Sequence, residues 1–299
     1  MKCKWIKKLT AGIIFLAAVG SLSGCQKAAT SENLFRDIEV NMTSVESAEE
    51  NQIVKLQMGD GDSAISQESN LDIEMIRDPA AVHRKGQQKT NMAGTKETQE
   101  MESYQVEEDG KTVIYSGTDE AWEKNAVEEK ETSSQQTVLF DGLQNLSGLF
   151  TVSQDLATVN KEECFELTGT ISGTQFQETF ADTLKALLGE DSSDLSGWNL
   201  QASEDEENNE ELQQKLNNIK VDCVIDIYRS NILPAKITFD LTDYLKVAGE
   251  ENAQVTSYTL EVTFVSYNDT KKIKVPKAVK ESAKDNGEDE AENLSLIHI

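Results

Sequence analysis

Polar and apolar positions alternate with a period of two along much of the chain. Ile38, Val40 and Met42 alternate with Glu39, Asn41 and Thr43. Val54, Leu56 and Met58 repeat the pattern, and Leu71, Ile73 and Met75 alternate with Asp72 and Glu74 before Pro79. Alternation of this kind predicts strands with one buried face. Gly59 to Ser63 predicts a turn between the second and third runs. Residues 84–100 are polar and predict one weaker strand at most. Tyr104 and Val106, then Val113 and Tyr115, flank Asp109-Gly110, which predicts a tight hairpin. Trp122 opens a further extended piece. Later, Val221, Cys223, Ile225 and Ile227 make one dry face. Ile237, Phe239 and Leu241 make another, and Tyr258, Leu260, Val262 and Phe264 a third. One wet and one dry face per strand is the mark of an antiparallel sheet.

Two stretches follow the helical period instead. Leu139, Leu143, Leu146 and Phe150 recur at spacings of four, three and four, although Gly142 and Gly148 weaken the helix. After a strand at 164–171, Thr174 is placed to cap a second helix. Phe176, Phe180, Leu184, Leu187 and Leu188 share one side of it, and Gly189 ends it. Burying those side chains would contribute about 1.5–3 kcal/mol each before entropy costs. Residues 190–211 are acidic, with Glu204-Asp205-Glu206-Glu207 at their centre, and read as a mobile loop. About eight or nine strands and two helices predict an α+β fold. Its frame would be a broad curved antiparallel sheet, a half-barrel, with helices over its concave face.

The N-terminus adds a membrane. Lys2, Lys4, Lys7 and Lys8 precede an apolar run from Leu9 to Val19, too short to span a bilayer. Leu22-Ser23-Gly24-Cys25 then has the form of a lipobox. Leu22, Ser23 and Gly24 would be read by the signal peptidase, and Cys25 would become the lipid-bearing first residue. Two or more acyl chains hold a membrane where one does so only marginally. The expected layout is a signal peptide at 1–24, a lipidated tether at 25–34 and a single β-rich domain at 35–284. An acidic tail follows at 285–293. Residues 294–299, Leu-Ser-Leu-Ile-His-Ile, read as the translation of a sequencing adapter and are set aside. The expected place is outside the cytoplasmic membrane, anchored to its outer face.

Charge narrows the partners. The formal net charge of −26 becomes −30 once the four signal lysines leave. A body this acidic repels nucleic acid, whose binding rests on neutralising phosphates, and does not lie flat on anionic lipid. Lys271, Lys272, Lys274, Lys277, Lys280 and Lys284 form the one basic cluster. It reads either as a contact for anionic head groups or wall polymers, or as a solvated edge strand guarded by lysines. With Cys3 lost and Cys25 lipidated, Cys164 and Cys223 remain. Their strand phases put them on opposite faces of the sheet, which argues against a bridge.

The residues offer no catalytic set, and neither a metal nor a cofactor is expected. His83 is the only histidine before the adapter-like residues, and it reads as an ordinary strand-end residue. Gly169-Thr-Ile-Ser172-Gly173 places its serine one position late for a nucleophile elbow. Asp60 and Asp62 hint at a calcium loop, but Ala64 stands where a third ligand belongs. No nucleophile has a base to pair with, so a non-enzymatic role is expected.

Three stretches resemble a family of Gram-positive lipoproteins. They are Tyr104-Gln-Val-Glu-Glu-Asp-Gly-Lys-Thr-Val-Ile-Tyr115 with Trp122, Leu233-Pro-Ala-Lys-Ile-Thr-Phe-Asp-Leu-Thr-Asp243, and Tyr267-Asn-Asp269 running to Ile273-Lys-Val-Pro276. That family is similar in architecture to the LolA and LppX/LprG lipoprotein carriers. The resemblance implies a curved sheet and helices enclosing an apolar cavity for a lipid or other apolar ligand. It carries over no functional residue. Met42, Met58, Met75, Phe176, Phe180 and Leu184 are then the candidate ligand-facing positions. The alternative is a cell-surface interaction or structural module with a filled core.

Overall fold

The computed structural model describes residues 29–60, 64–118, 121–127, 143–188, 213–248 and 255–285. Helix α1 (Ser31–Met42) leads into β1 (Ser47–Met58), β2 (Ile65–Ile76), β3 (Ala81–Met92), β4 (Thr95–Glu108), β5 (Lys111–Thr118) and β6 (Ala121–Val127). A 3-10 segment (Leu143–Leu149) precedes β7 (Phe150–Val159), β8 (Glu162–Ser172) and α2 (Gly173–Leu188). Then come a helical turn at 213–218, β9 (Lys220–Tyr228), β10 (Pro234–Asp240) and α3 (Thr242–Ala248). The described chain finishes with β11 (Val255–Tyr267), α4 (Lys277–Ser282) and β12 (Lys284–Asp285).

Among the described residues, one sheet holds the twelve strands, in the order β12-β6-β5-β4-β3-β2-β1-β11-β10-β9-β8-β7. Two up-and-down meanders, β1–β6 and β7–β11, join through the antiparallel pair of β1 with β11. Only β12 runs parallel to its neighbour, β6. This is the expected α+β architecture, an open antiparallel sheet with helices against it.

The main core lies on the inner face of the sheet, the one the helices cover. Val221, Ile225, Ile237, Phe239, Leu260, Val262 and Phe264 supply the sheet side. Leu34, Phe35 and Ile38 from α1, Phe176 and Phe180 from α2, and Tyr244 and Leu245 from α3 supply the other. Phe176, Phe180, Phe239 and Tyr244 form a ring cluster with centroids 5.1–5.5 Å apart. A second, smaller core sits on the outer face of β4–β6. There Tyr104, Val113, Tyr115 and Trp122 are covered by Ile273, Val275 and Val279 from the C-terminal segment. Lys280 on α4 bonds Glu108, which also accepts a hydrogen bond from Tyr115 Oη at 2.9 Å. A third, small cluster of the described residues gathers Val159, Cys164, Tyr228 and Ala235.

Several sequence expectations need correction. Residues 31–42 form a helix, not a strand. Leu34, Phe35, Ile38 and Met42 are buried at helical spacing, while Val40 is 62% exposed. Thr30 caps the helix by accepting a hydrogen bond from Asn33 N at 3.3 Å. The Arg77 guanidinium closes the other end on the carbonyls of Met42 and Thr43, both at 3.1 Å. The expected tether at 25–34 therefore gives way to α1 at Ser31.

Residues 84–100 fall within two long strands instead of holding one weak strand, and the expected hairpin arm at Tyr104–Val106 is the end of the second. The two strands pair from Ala81–Val106 to Met92–Thr95 across a turn at Ala93 and Gly94, both with positive φ. Strand β7 is also additional. Its register with β8 shifts between Val152 and Leu156, which breaks the alternation a sequence reading depends on. The expected first helix is present only as the 3-10 segment, with Phe150 already in β7, and Leu139 lies outside the described residues. Helix α2 is capped by Ser172 and not by Thr174. Ser172 Oγ accepts from Gln175 N at 3.2 Å and Ser172 N donates to Gln175 Oε1 at 3.3 Å, a reciprocal capping box. The basic cluster is no edge strand over most of its length, since Lys277 and Lys280 lie on α4. The acidic stretch 190–211 falls outside the described residues.

Two other expectations about the sheet hold. Asp109 and Gly110 both take positive φ at the predicted hairpin turn. Cys164 pairs in register with Tyr228, and Cys223 with Gly169. The two thiols thus point to opposite faces, and both are free.

Candidate functional site

Strand register defines what the inner face presents beyond the helices. Glu50, Gln52, Val54, Leu56 and Met58 of β1 pair with Phe264, Val262, Leu260, Tyr258 and Val255 of β11, so they share the face of the main core. On the far side of β1 the same rows continue through Ile73, Leu71, Ser69, Gln67 and Ile65 of β2. They reach Arg84, Gly86, Gln88, Thr90 and Met92 of β3. The helices pack chiefly on β7, β8, β9 and β11. Val54, Leu56 and Met58 are only partly buried, at the margin of the main core. Strand β1 is therefore a seam between a sealed apolar layer and a more polar, half-exposed one.

Two polar side chains are buried in that seam. Glu50 is 3% exposed and Gln52 1%. Neither Glu50 Oε1 nor Gln52 Oε1 has a hydrogen-bond partner. Burial pushes the Glu50 carboxyl from its usual 4.5 up to about 7, against the opposing pull of the Arg84 charge. Arg84 is held below its usual value, by burial first, with Glu50 acting in the opposite sense. Glu50 and Arg84 occupy one cross-strand row, with Ile73 between them. The apolar alternation of β1 starts only at Val54, so its pattern does not mark this pair. Carrying the same phase back two and four residues places Gln52 and Glu50 on the dry face.

The candidate ligand-facing residues are not gathered at one place. Met42 is buried on α1, inside the main core. Met58 lies at the end of β1 against that core, and Met75 is buried on β2 opposite Ala48. Phe176 and Phe180 are sealed in the ring cluster on α2. Leu184 is on α2, but its side chain, like residues 22–25 of the lipobox, lies outside what is described. An open cleft of about 370 Å³ occurs at the far ends of β1–β4. Its lining joins Leu56 of the apolar row to Lys55, Gln67, Glu68, Lys89 and Glu97, so it opens beside the margin of the main core.

On the outer face, His83 is fully engaged. Its Nδ1 lies 3.3 Å from Glu74 and its Nε2 3.0 Å from Glu102, with the ring stacked on Tyr104 at 4.3 Å. Burial raises the Glu102 carboxyl, but hydrogen bonds from Tyr104, His83 and Lys85 outweigh it and hold the group below its usual value. This network ties β2, β3 and β4 together. Among the described residues, no group of three or more His, Cys, Asp or Glu is placed to hold a metal ion. No helix among them is long and apolar enough to cross a membrane.

The structure is similar to that of the lipoprotein LppX of Mycobacterium tuberculosis, with 12% identity and a TM-score of 0.42 over 82% of this chain and 98% of that one. It is similar to LprF of Mycobacterium bovis, with 11% identity and a TM-score of 0.44 over 82% and 96%. A LolA superfamily protein of Nitrosomonas europaea matches at 8% identity and a TM-score of 0.23 over 86% and 99%. The names LppX and LolA, to which the sequence stretches are likened, are among those of these structures. No curated protein matches the sequence. Residues 30–284 match the model of the Family of unknown function (DUF6612), and the chain belongs to that family.

Proposed function

We propose that this protein is a lipid-anchored, extracytoplasmic module that binds an amphipathic, largely apolar ligand on the inner face of its sheet. One observation carries the reading. The apolar row Val54, Leu56 and Met58 leaves the sealed core and continues, only partly buried, onto the inner face of β1. An apolar chain laid along that row would extend the main core, and apolar burial supplies the driving force. The anchor is Cys25, reached through Leu22, Ser23 and Gly24. Binding of this kind needs no catalytic group.

Native mass spectrometry on the chain from residue 26 to 284 tests the reading. A co-purifying lipid-sized mass, identified after extraction, is the expected result. A clean apoprotein that also leaves fluorescent fatty-acid and phospholipid probes unbound would refute it. The close ring packing of Phe176, Phe180, Phe239 and Tyr244 favours a second reading, in which the core is filled and the module meets a protein or polymer. The anchor has its own test. Cys25→Ala should release the chain from membranes, and continued labelling of that variant by radioactive palmitate would sink it.

A further inference from the structure

The inner face changes character across β1. Toward β11 and β10 it is apolar and closed, through Leu260, Val262, Ile237 and Phe239. Toward β2, β3 and β4 the same rows carry Ser69, Gln88 and Gln99. An amphiphile with its chain against β1 would place its head at this boundary, where Glu50 and Gln52 are buried. Their Oε1 atoms sit two residues apart on one face of one strand and accept no hydrogen bond. Buried acceptors without donors are rare and costly, and each such group calls for a reason. Here the two acceptors are adjacent and belong to the face already argued to receive a ligand.

Charge restricts the head group. Glu50 and Arg84 lie in one row across β1–β3 and act on each other electrostatically. Above about pH 7, where Glu50 is ionised in the folded chain, the two are neutral as a unit. An added cation or anion would leave an uncompensated charge in a poorly hydrated place. Hydroxyl groups satisfy the acceptors without adding charge.

We infer that Glu50 and Gln52 recognise the polar head of the ligand, and that this head is neutral and hydroxyl-bearing, as in a glycerol monoester. The inference rests on the ligand-binding reading above and adds the chemistry of the head. The chain from residue 26 onward is loaded with N-phenyl-1-naphthylamine, a neutral apolar dye. At pH 8 the dye is then displaced by monodecanoylglycerol, decanoate or decylamine, which share one chain length and differ in head. The glycerol ester should displace it at about tenfold lower concentration than the other two, the size expected for one well-made hydrogen bond. Glu50→Gln and, separately, Gln52→Met should each reduce that preference while the dye still binds. Equal displacement by all three heads, as expected if water alone fills these positions, overturns the inference and leaves the binding reading standing. So does a preference for decanoate or decylamine, or an undiminished preference in both variants. Failure of the dye and all three amphiphiles to bind overturns the binding reading itself.

Discussion

Glu50→Gln should remove a pH-dependent burden from the fold. Burial raises the Glu50 carboxyl from 4.5 to about 7. The folded chain therefore holds this proton more tightly than the unfolded chain does. Below about pH 4.5 the group is protonated in both states and costs nothing extra. As pH rises toward 7 the unfolded chain ionises first, and the folded state loses relative stability until it ionises too. At about 1.4 kcal/mol per pH unit the full effect is about 3 kcal/mol. Asp226, raised from 3.8 to about 6 by burial and then by Glu166, pulls in the same direction. Subtracting wild type from variant cancels Asp226 and every other shared group. Arg84 adds no separate contribution, because its pull on the ionised Glu50 is already contained in the shifted value. The assay is urea unfolding of the chain from residue 26 onward, for both proteins, at several pH values from 4.5 to 8. The stability advantage of the variant should grow by about 3 kcal/mol across that range. A difference that stays flat with pH would mean that Glu50 is hydrated in solution, and the seam argument would fail.

Three further outcomes are expected. Phe180→Ala should cost about 3–5 kcal/mol in the same unfolding assay, because it opens a hole between Phe176 and Phe239; a loss under about 1 kcal/mol would mean that the ring cluster is not closed. Ser172→Ala should cost about 1 kcal/mol by removing half of the capping box, and Thr174→Ala less, an order that thermal unfolding of the two variants can reverse or uphold. Cys164 and Cys223 should be inert to a thiol reagent at pH 8 in the folded chain from residue 26 onward and both react in urea. Burial raises Cys164 to about 11 and Cys223 further still, and native labelling of either would contradict that burial.

The sheet was legible wherever one face is dry. Val221, Cys223, Ile225 and Ile227, and Tyr258, Leu260, Val262 and Phe264, alternate cleanly because one face of each strand is apolar and sealed while the other carries mostly polar side chains. Strands β3 and β4 lack that contrast. Both faces of their outer halves are polar, so residues 84–100 carry no period to read. The segment 31–42 misled in the opposite way. Ile38, Val40 and Met42 alternate, yet Leu34 and Phe35 complete a helical stripe that a window starting at Asp37 leaves out. The seam was hidden by a habit of expectation, since charged and amide side chains are rarely placed on a buried face. Helix α3, with Tyr244 and Leu245 buried, is too short for its period to stand out.

Strand β12 is only two residues long, yet it determines how one border of the sheet meets the outside. Without Lys284 and Asp285 alongside Glu123 and Lys124, β6 would present unpaired backbone groups to any extended segment that drifts past. Many copies tethered to one membrane would make such encounters frequent. The opposite border is β7, where the register irregularity between Val152 and Leu156 disturbs the template a second copy would need. On the proposed anchoring, this short pairing would help guard one border of the sheet against self-association. Truncation just before Lys284 would expose the chain to edge-to-edge polymerisation before it lost its fold.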